Sequence, residues 1–237
     1  MKGQDRNMKK TIGILGGMGP IATVEVYKRI IQHTVASKDQ EHIRIFIDNN
    51  SKIPDRTSYI VDKKKSPLNE LINSAKLLQQ MGADFIIIPC NTAHYFFYDL
   101  IKEINTPIIN MVEETAKYVY KENYKDEKIC LLATMGTMQS RIYNNEFDKF
   151  GIRLSNTDRK IQEKVTVLIK SIKGNNLEKS KLIKSWINNE LRKYDNTKFI
   201  LGCTELSVIL NLEDDIFIDP MDILVSESIK QAGYKCK

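Results

Sequence analysis

The sequence predicts an α/β protein of two pseudo-symmetric lobes, each a mostly parallel sheet flanked by helices, with a site in the cleft between them. Three observations carry that expectation. Short apolar runs alternate with helical patterns along the chain, the signature of parallel strands covered by helices. The segments Ile86-Ile87-Ile88-Pro89-Cys90-Asn91-Thr92 and Phe199-Ile200-Leu201-Gly202-Cys203-Thr204 repeat one design: a buried strand, a cysteine, then hydroxyl or amide residues before a helix. The turn Leu15-Gly16-Gly17-Met18-Gly19 has a counterpart in Leu132-Ala133-Thr134-Met135-Gly136. The two pairs of landmarks have nearly the same offset, as a diverged internal duplication would leave.

The first strand, Thr11 to Leu15, runs into the glycine turn. Pro20 suits a first helical position, and Ile21, Val24, Tyr27, Ile30 and Ile31 then recur at helical spacing. A second strand, Ile43 to Ile47, leads into a polar loop from Asp48 to Lys65. A helix over Pro67 to Met81, ended by Gly82, precedes the strand Phe85 to Ile88. Beyond Cys90, Ala93 to Ile104 reads as a helix, Pro107 to Ile109 as a short strand and Val112 to about Tyr124 as a helix.

The second half restarts with the strand Lys128 to Ala133. Helical patterns follow over Ser140 to Phe150, Ile161 to Lys173 and Leu177 to Lys193, before the strand that ends at Cys203. The helix Thr204 to Leu210, a short strand at Ile216 to Ile218 and a helix from Met221 to Ala232 complete the chain. The expected division is a first lobe of residues 8–110 plus 215–237 carrying Cys90, and a second of residues 111–214 carrying Cys203.

Composition narrows the function classes. The 237 residues are 42% apolar and 28% charged, enough for one large core or two smaller ones. No apolar run reaches about 18 residues, so no membrane partner is expected. The polar, basic stretch Met1 to Lys10 lacks the apolar core of a secretory signal. Met8 is an alternative start, with Met1 to Asn7 read as a disordered extension. Cys90, Cys130, Cys203 and Cys236 form neither a CxxC pair nor a disulfide framework, which fits a reducing cytoplasm. His33, His42 and His94 are too dispersed for metal-ligand spacing, and no metal is expected. The net charge of +6 comes from scattered lysines rather than a nucleic-acid-binding stripe, and would help draw in a small anionic substrate. The glycine turn lacks GxGxxG spacing and a well-placed acidic residue, so its backbone amides suit a small anion better than a dinucleotide.

The chemistry rests on the repeated cysteines. Each sits at the carboxyl edge of a sheet, where open α/β sheets bind ligands, and beside a helix start whose partial positive charge favours thiolate. Cys130 lies within an apolar strand and reads as core; Cys236 reads as an exposed terminal residue. A cysteine hydrolase needs one thiol and a histidine base. His94, four residues past Cys90, can modulate that thiol, but Cys203 is followed by Glu205 instead. A symmetric thiol pair fits proton transfer better: one removes a proton from one face of a carbon while the other donates to the opposite face, inverting the centre.

The motifs PCNTAH, LGCTEL and TIGILGGMGP, with Ile53-Pro54-Asp55-Arg56-Thr57, resemble the aspartate/glutamate racemase family, and its aspartate branch most closely. Glu205 stands where the cell-wall glutamate racemases have a histidine. The resemblance runs from about Lys9 to the last helix. It implies a cofactor-independent racemase, often a homodimer, acting on aspartate. Glutamate, a broader range of amino acids, or isomerisation of a dicarboxylic acid are the alternatives. It implies Cys90 and Cys203 as the catalytic residues and Met18, Arg56, Asn91, Thr92, Thr137, Lys173 and Thr204 as the substrate-binding ones.

Overall fold

A computed structural model describes residues 9–124, 127–210 and 215–237; the N-terminal extension and the alternative start at Met8 lie outside them. The first lobe is built on β1 (Ile12–Gly16), whose five residues are all buried. With α1 (Pro20–His33), β2 (Ile45–Asn49), α2 (Arg56–Asp62), α3 (Leu68–Gln80) and β3 (Phe85–Ile87) it forms a three-stranded parallel sheet in the order β2-β1-β3, covered by helices. Ile12 lies opposite Ile45 on one side and Phe85 on the other.

Two expectations are corrected in this lobe. The second strand starts at Ile45 rather than Ile43, because Ile43 turns into the core beneath α1. The supposed polar loop contains α2, which Asp55 caps by accepting the Ser58 N–H at 2.7 Å. Only Arg56 and Ile60 of that helix are buried, too few to leave an apolar period in the sequence. Past Cys90 the chain makes a 3₁₀ turn, Asn91–Phe96, before α4 (Phe97–Glu103). Residues 107–109 add a single parallel bridge, Ile86 to Ile108.

The second lobe repeats this plan. After α5 (Met111–Glu122) come β4 (Lys128–Ala133), α6 (Met135–Ser140), α7 (Ile142–Asp148), β5 (Leu154–Ser155), α8 (Arg159–Lys173), α9 (Leu177–Leu191), β6 (Thr197–Gly202), α10 (Thr204–Ile209) and β7 (Phe217–Ile218). Their parallel sheet runs β5-β4-β6-β7, so β5-β4-β6 reproduces β2-β1-β3. The helix expected over Ser140 to Phe150 is interrupted at Arg141, which adopts φ 56° between α6 and α7.

The chain then crosses back through α11 (Pro220–Gln231). The strand at 217–218, expected with the first lobe, instead pairs with β6, Ile218 opposite Ile200. Its apolar residues complete the second sheet, and the return to the first lobe falls at α11. There Met221, Leu224, Val225 and Ile229 are buried against β1, β3 and α1. The other face of the first sheet is covered by α3 and α4. The second sheet is covered by α8 and α9 on one face and by α5 and α7 on the other. Each fully buried Leu, Ile or Phe contributes about 1.5–3 kcal/mol. Cys130 is buried in the second core, as expected; Cys236 is half-buried and packs on the first.

Candidate active site

The carboxyl ends of β3 and β6 bring the two repeated cysteines to the boundary between lobes. Cys90 precedes the 3₁₀ turn and Cys203 occupies the N-cap position of α10. They are 6% and 5% exposed. The Thr204 hydroxyl donates to the Pro89 carbonyl at 3.2 Å. The residue after one thiol is therefore bonded to the residue before the other. A second inter-lobe link joins Thr92 to the α6 turn: its hydroxyl lies 3.0 Å from that of Thr134 and 2.9 Å from that of Thr137. Gly136 permits this approach, since a Cβ there would lie 2.8 Å from Thr57 Oγ1 and 3.1 Å from Thr92 Cγ2.

The glycine turn after β1 forms the opposite wall. Gly17 has φ +89°, and a side chain on it would collide with the backbone of Asn50. That tight turn presents Met18 to a cavity of about 220 Å³ lined also by Arg56, Lys173 and Glu205. Neither thiol lines this cavity; Cys203 reaches it through Glu205, whose Oε2 accepts the Cys203 S–H at 2.9 Å. Glu205 is 3% exposed, and its Oε1 lies 3.5 Å from the Lys173 ammonium. Burial pushes the Cys203 thiol well above its usual range, and the Glu205 carboxylate adds to that push. Lys173 is drawn upward in turn: burial opposes its charge, but Glu205, Cys203 and Cys90 outweigh it.

Among the described residues, two buried donors are left without partners. Arg56 gives its Nη1 to the carbonyls of Ile53 and Pro54 and its Nη2 to that of Met18, while its buried Nε–H is unpaired. Asn91 accepts the Tyr143 hydroxyl on Oδ1 at 2.5 Å, and its buried Nδ2 has no partner. A buried donor left unsatisfied costs about 1–3 kcal/mol, so such groups call for an explanation. An acceptor-rich ligand such as a carboxylate supplies one.

All the expected residues thus lie along one inter-lobe seam, but His94 does not meet the thiol. Its Nε2 accepts the Met111 N–H at 3.1 Å, which leaves Nδ1 to donate to the Cys90 carbonyl at 3.0 Å. Burial lowers its pKa to about 4. A neutral ring therefore holds the backbone of Cys90 against the start of α5. Three contacts were not foreseen: Glu205 on Cys203, Tyr143 on Asn91 and Thr134 on Thr92. Only the first left a sequence signal, a carboxylate two residues past a cysteine.

The fold and the paired thiols define a two-lobed α/β protein with one cysteine from each lobe. Residues 15–228 match the Asp/Glu/hydantoin racemase family model, and the chain belongs to that family of isomerases. It is 30% identical over 207 residues to the broad specificity amino-acid racemase RacX of Bacillus subtilis, covering 84% of this chain and 87% of that one. Its similarity to the glutamate racemase of Aquifex pyrophilus is 23% identity over 77% of this chain and 68% of the relative. Among solved structures, the Picrophilus torridus aspartate racemase superposes with a TM-score of 0.86 at 31% identity, covering 96% of both chains. An aspartate racemase homologue from Pyrococcus horikoshii gives 0.71 at 25% identity, over 94% of this chain and 99% of the other. Among the described residues, no helix is long and apolar enough to cross a membrane.

Proposed function

We propose that this chain interconverts L- and D-aspartate by proton transfer at Cα between two thiols, without a cofactor. The observation that supports the reading is the bond from Thr204 to Pro89, which joins the residue after one cysteine to the residue before the other. One sulfur, as thiolate, takes the Cα proton; the other, as thiol, delivers its proton to the opposite face. The electron pair left by the C–H bond spreads onto the α-carboxylate. Such a carbanion needs stabilisation that thiols do not supply, and enzymes typically lower barriers by about 8 kcal/mol or more. Asn91 Nδ2, the hydroxyls of Thr92 and Thr137 and the Met18 turn are the donors for that carboxylate, acting where water is excluded, while Thr204 holds the Pro89 carbonyl.

Arg56 and Lys173 recognise the side-chain carboxylate. The unpaired Nε–H of Arg56, with the positive potential of Lys173 beside it, supports a dicarboxylic amino acid. The 31% identity to an aspartate racemase favours aspartate, whereas the relation to RacX supports a broader range as the second reading. One methylene changes affinity by only about 1–3 kcal/mol. The working form is a homodimer. Its support is the apolar stripe on the outer face of α1, where Ile21, Val24, Tyr27 and Ile31 are exposed by 38 to 66%. The test is incubation of the purified chain with L-aspartate, L-glutamate and L-alanine, without pyridoxal phosphate, followed by chiral chromatography. D-aspartate should form fastest; faster conversion of alanine would replace the aspartate reading with the broad one.

A further inference from the structure

The two thiols are equivalent in the repeat but not in their surroundings. Two residues past Cys90 stands Thr92, a neutral hydroxyl engaged with Thr134 and Thr137. Two residues past Cys203 stands Glu205, whose carboxylate accepts the thiol hydrogen at 2.9 Å. Among the described residues, no carboxylate is hydrogen-bonded to the sulfur of Cys90. We propose that Glu205 is a positioning residue that holds the shared proton on Cys203, so that the unliganded cleft carries a Cys203 thiol and leaves Cys90 to act as base. This deepens the two-thiol reading and rests on it.

The argument is one of charge and geometry. The Cys203 S–H donates to Glu205 Oε2 at 2.9 Å, and a carboxylate in that position accepts the thiol hydrogen but offers none to a thiolate. A Cys203 thiolate would face Glu205 as a second anion, with both groups at least nine-tenths buried. Lys173, 3.5 Å from Oε1, supplies a counter-charge to the Glu205 carboxylate. The groups facing Cys203 are Glu205 on its own helix, Lys173 on α8, Cys90 beyond β3 and Tyr143 on α7. Lys173 is the one cation among them and is already paired with the carboxylate.

The proton inventory then gives turnover a direction. In the first conversion the Cα–H bond breaks and an S–H bond forms at Cys90. The Cys203 S–H bond breaks and its proton joins Cα from the other side. The chain is left with a Cys90 thiol and a Cys203 thiolate beside Glu205. The opposite enantiomer, or proton exchange with water, restores the resting arrangement.

The test is a pH titration of the protein labelled with ¹³C at cysteine Cβ, read by NMR, for the parent and for Glu205→Gln and Glu205→Asp. In the parent the Cys203 signal should remain that of a thiol through about pH 8.5, the ordinary thiol midpoint. Glu205→Gln keeps the shape and removes the charge, and should lower the Cys203 midpoint by about one unit or more, roughly tenfold more thiolate at a given pH. Glu205→Asp should retain most of the parental behaviour. An unchanged midpoint in Glu205→Gln, or a Cys203 thiolate already present at neutral pH in the parent, would overturn the proposal. The titration needs no turnover. A parent that racemises with Cys203 already a thiolate refutes only this inference, whereas the expected Cys203 titration without racemisation refutes the function.

Discussion

Replacing Arg29 by methionine tests how the second thiol is held in place. The guanidinium is 6% exposed and joins three elements. It reaches Glu25 on α1 at 2.8 Å, Asp219 and Asp222 at the start of α11 at 2.6 and 2.8 Å, and the Ser207 carbonyl on α10 at 2.6 Å. The last contact anchors the helix that Cys203 caps. Methionine fills similar space without charge. Asp222 and Glu25 have water to turn to, but Asp219 would remain buried with, among the described residues, Ser207 Oγ and the Met221 N–H as its donors. Removing one partner of a buried ion pair costs about 3–5 kcal/mol. In a chain of this length each kcal/mol is about 2–4 °C, so the melting midpoint should fall by roughly 6–20 °C.

The sign of the pH dependence follows. Burial and the neighbouring Asp222 already push Asp219 up, and Arg29 opposes them. Without Arg29 the carboxyl rises further. An acid whose folded pKa exceeds its unfolded value of about 3.9 favours the folded chain most at low pH. The deficit of Arg29→Met is therefore full above the raised folded pKa and shrinks as pH falls toward the unfolded one. Thermal unfolding followed by circular dichroism at neutral and acidic pH is the assay. A loss under about 2 °C, or a deficit that grows on acidification, would refute the reasoning.

Two further outcomes concern the site. Arg56→Ala should lower kcat/KM for aspartate by about ten- to a hundredfold, the worth of a charge-assisted hydrogen bond, and for alanine by much less. Equal losses would remove Arg56 from side-chain recognition. His94, held near pKa 4 by burial, stays neutral in the folded chain while the unfolded chain takes up a proton below its ordinary value. Stability should therefore drop as pH falls from about 6.5 to 4, by roughly 3 kcal/mol in all. His94→Gln, which keeps a donor and an acceptor but does not titrate, should lose that slope in urea unfolding; a parental slope in the variant would contradict the assignment.

Much of this arrangement was legible in the sequence because it depends on local pattern. The strands before Cys90 and Cys203 are continuous apolar runs, since both faces of each are covered. The match of Leu15–Gly19 to 132–136 marked the duplication that the two sheet orders display. What stayed hidden depends on contacts between distant residues. α2 escaped because its buried face is only Arg56 and Ile60. The break at Arg141 carries no glycine. The strand at 217–218 was recognised, but which sheet receives it is decided by pairing with β6 rather than by its own residues. At the site, Glu205 was visible as a departure from the glutamate racemase pattern, while its bond to Cys203 came only with α10 in place. His94 looked like a partner for the thiol because it lies one turn away. Its two nitrogens are taken by the Cys90 carbonyl and the Met111 amide.

The central claim is that each sulfur serves one face of the same carbon. The measurement that tests it most directly follows Cα deuterium from D₂O into L- and D-aspartate with Cys90→Ala and Cys203→Ala. Neither variant should invert the substrate, yet each should exchange one enantiomer with retention, and the two should choose opposite enantiomers. Inversion at the parental rate by either variant, or exchange of the same enantiomer by both, would contradict the account.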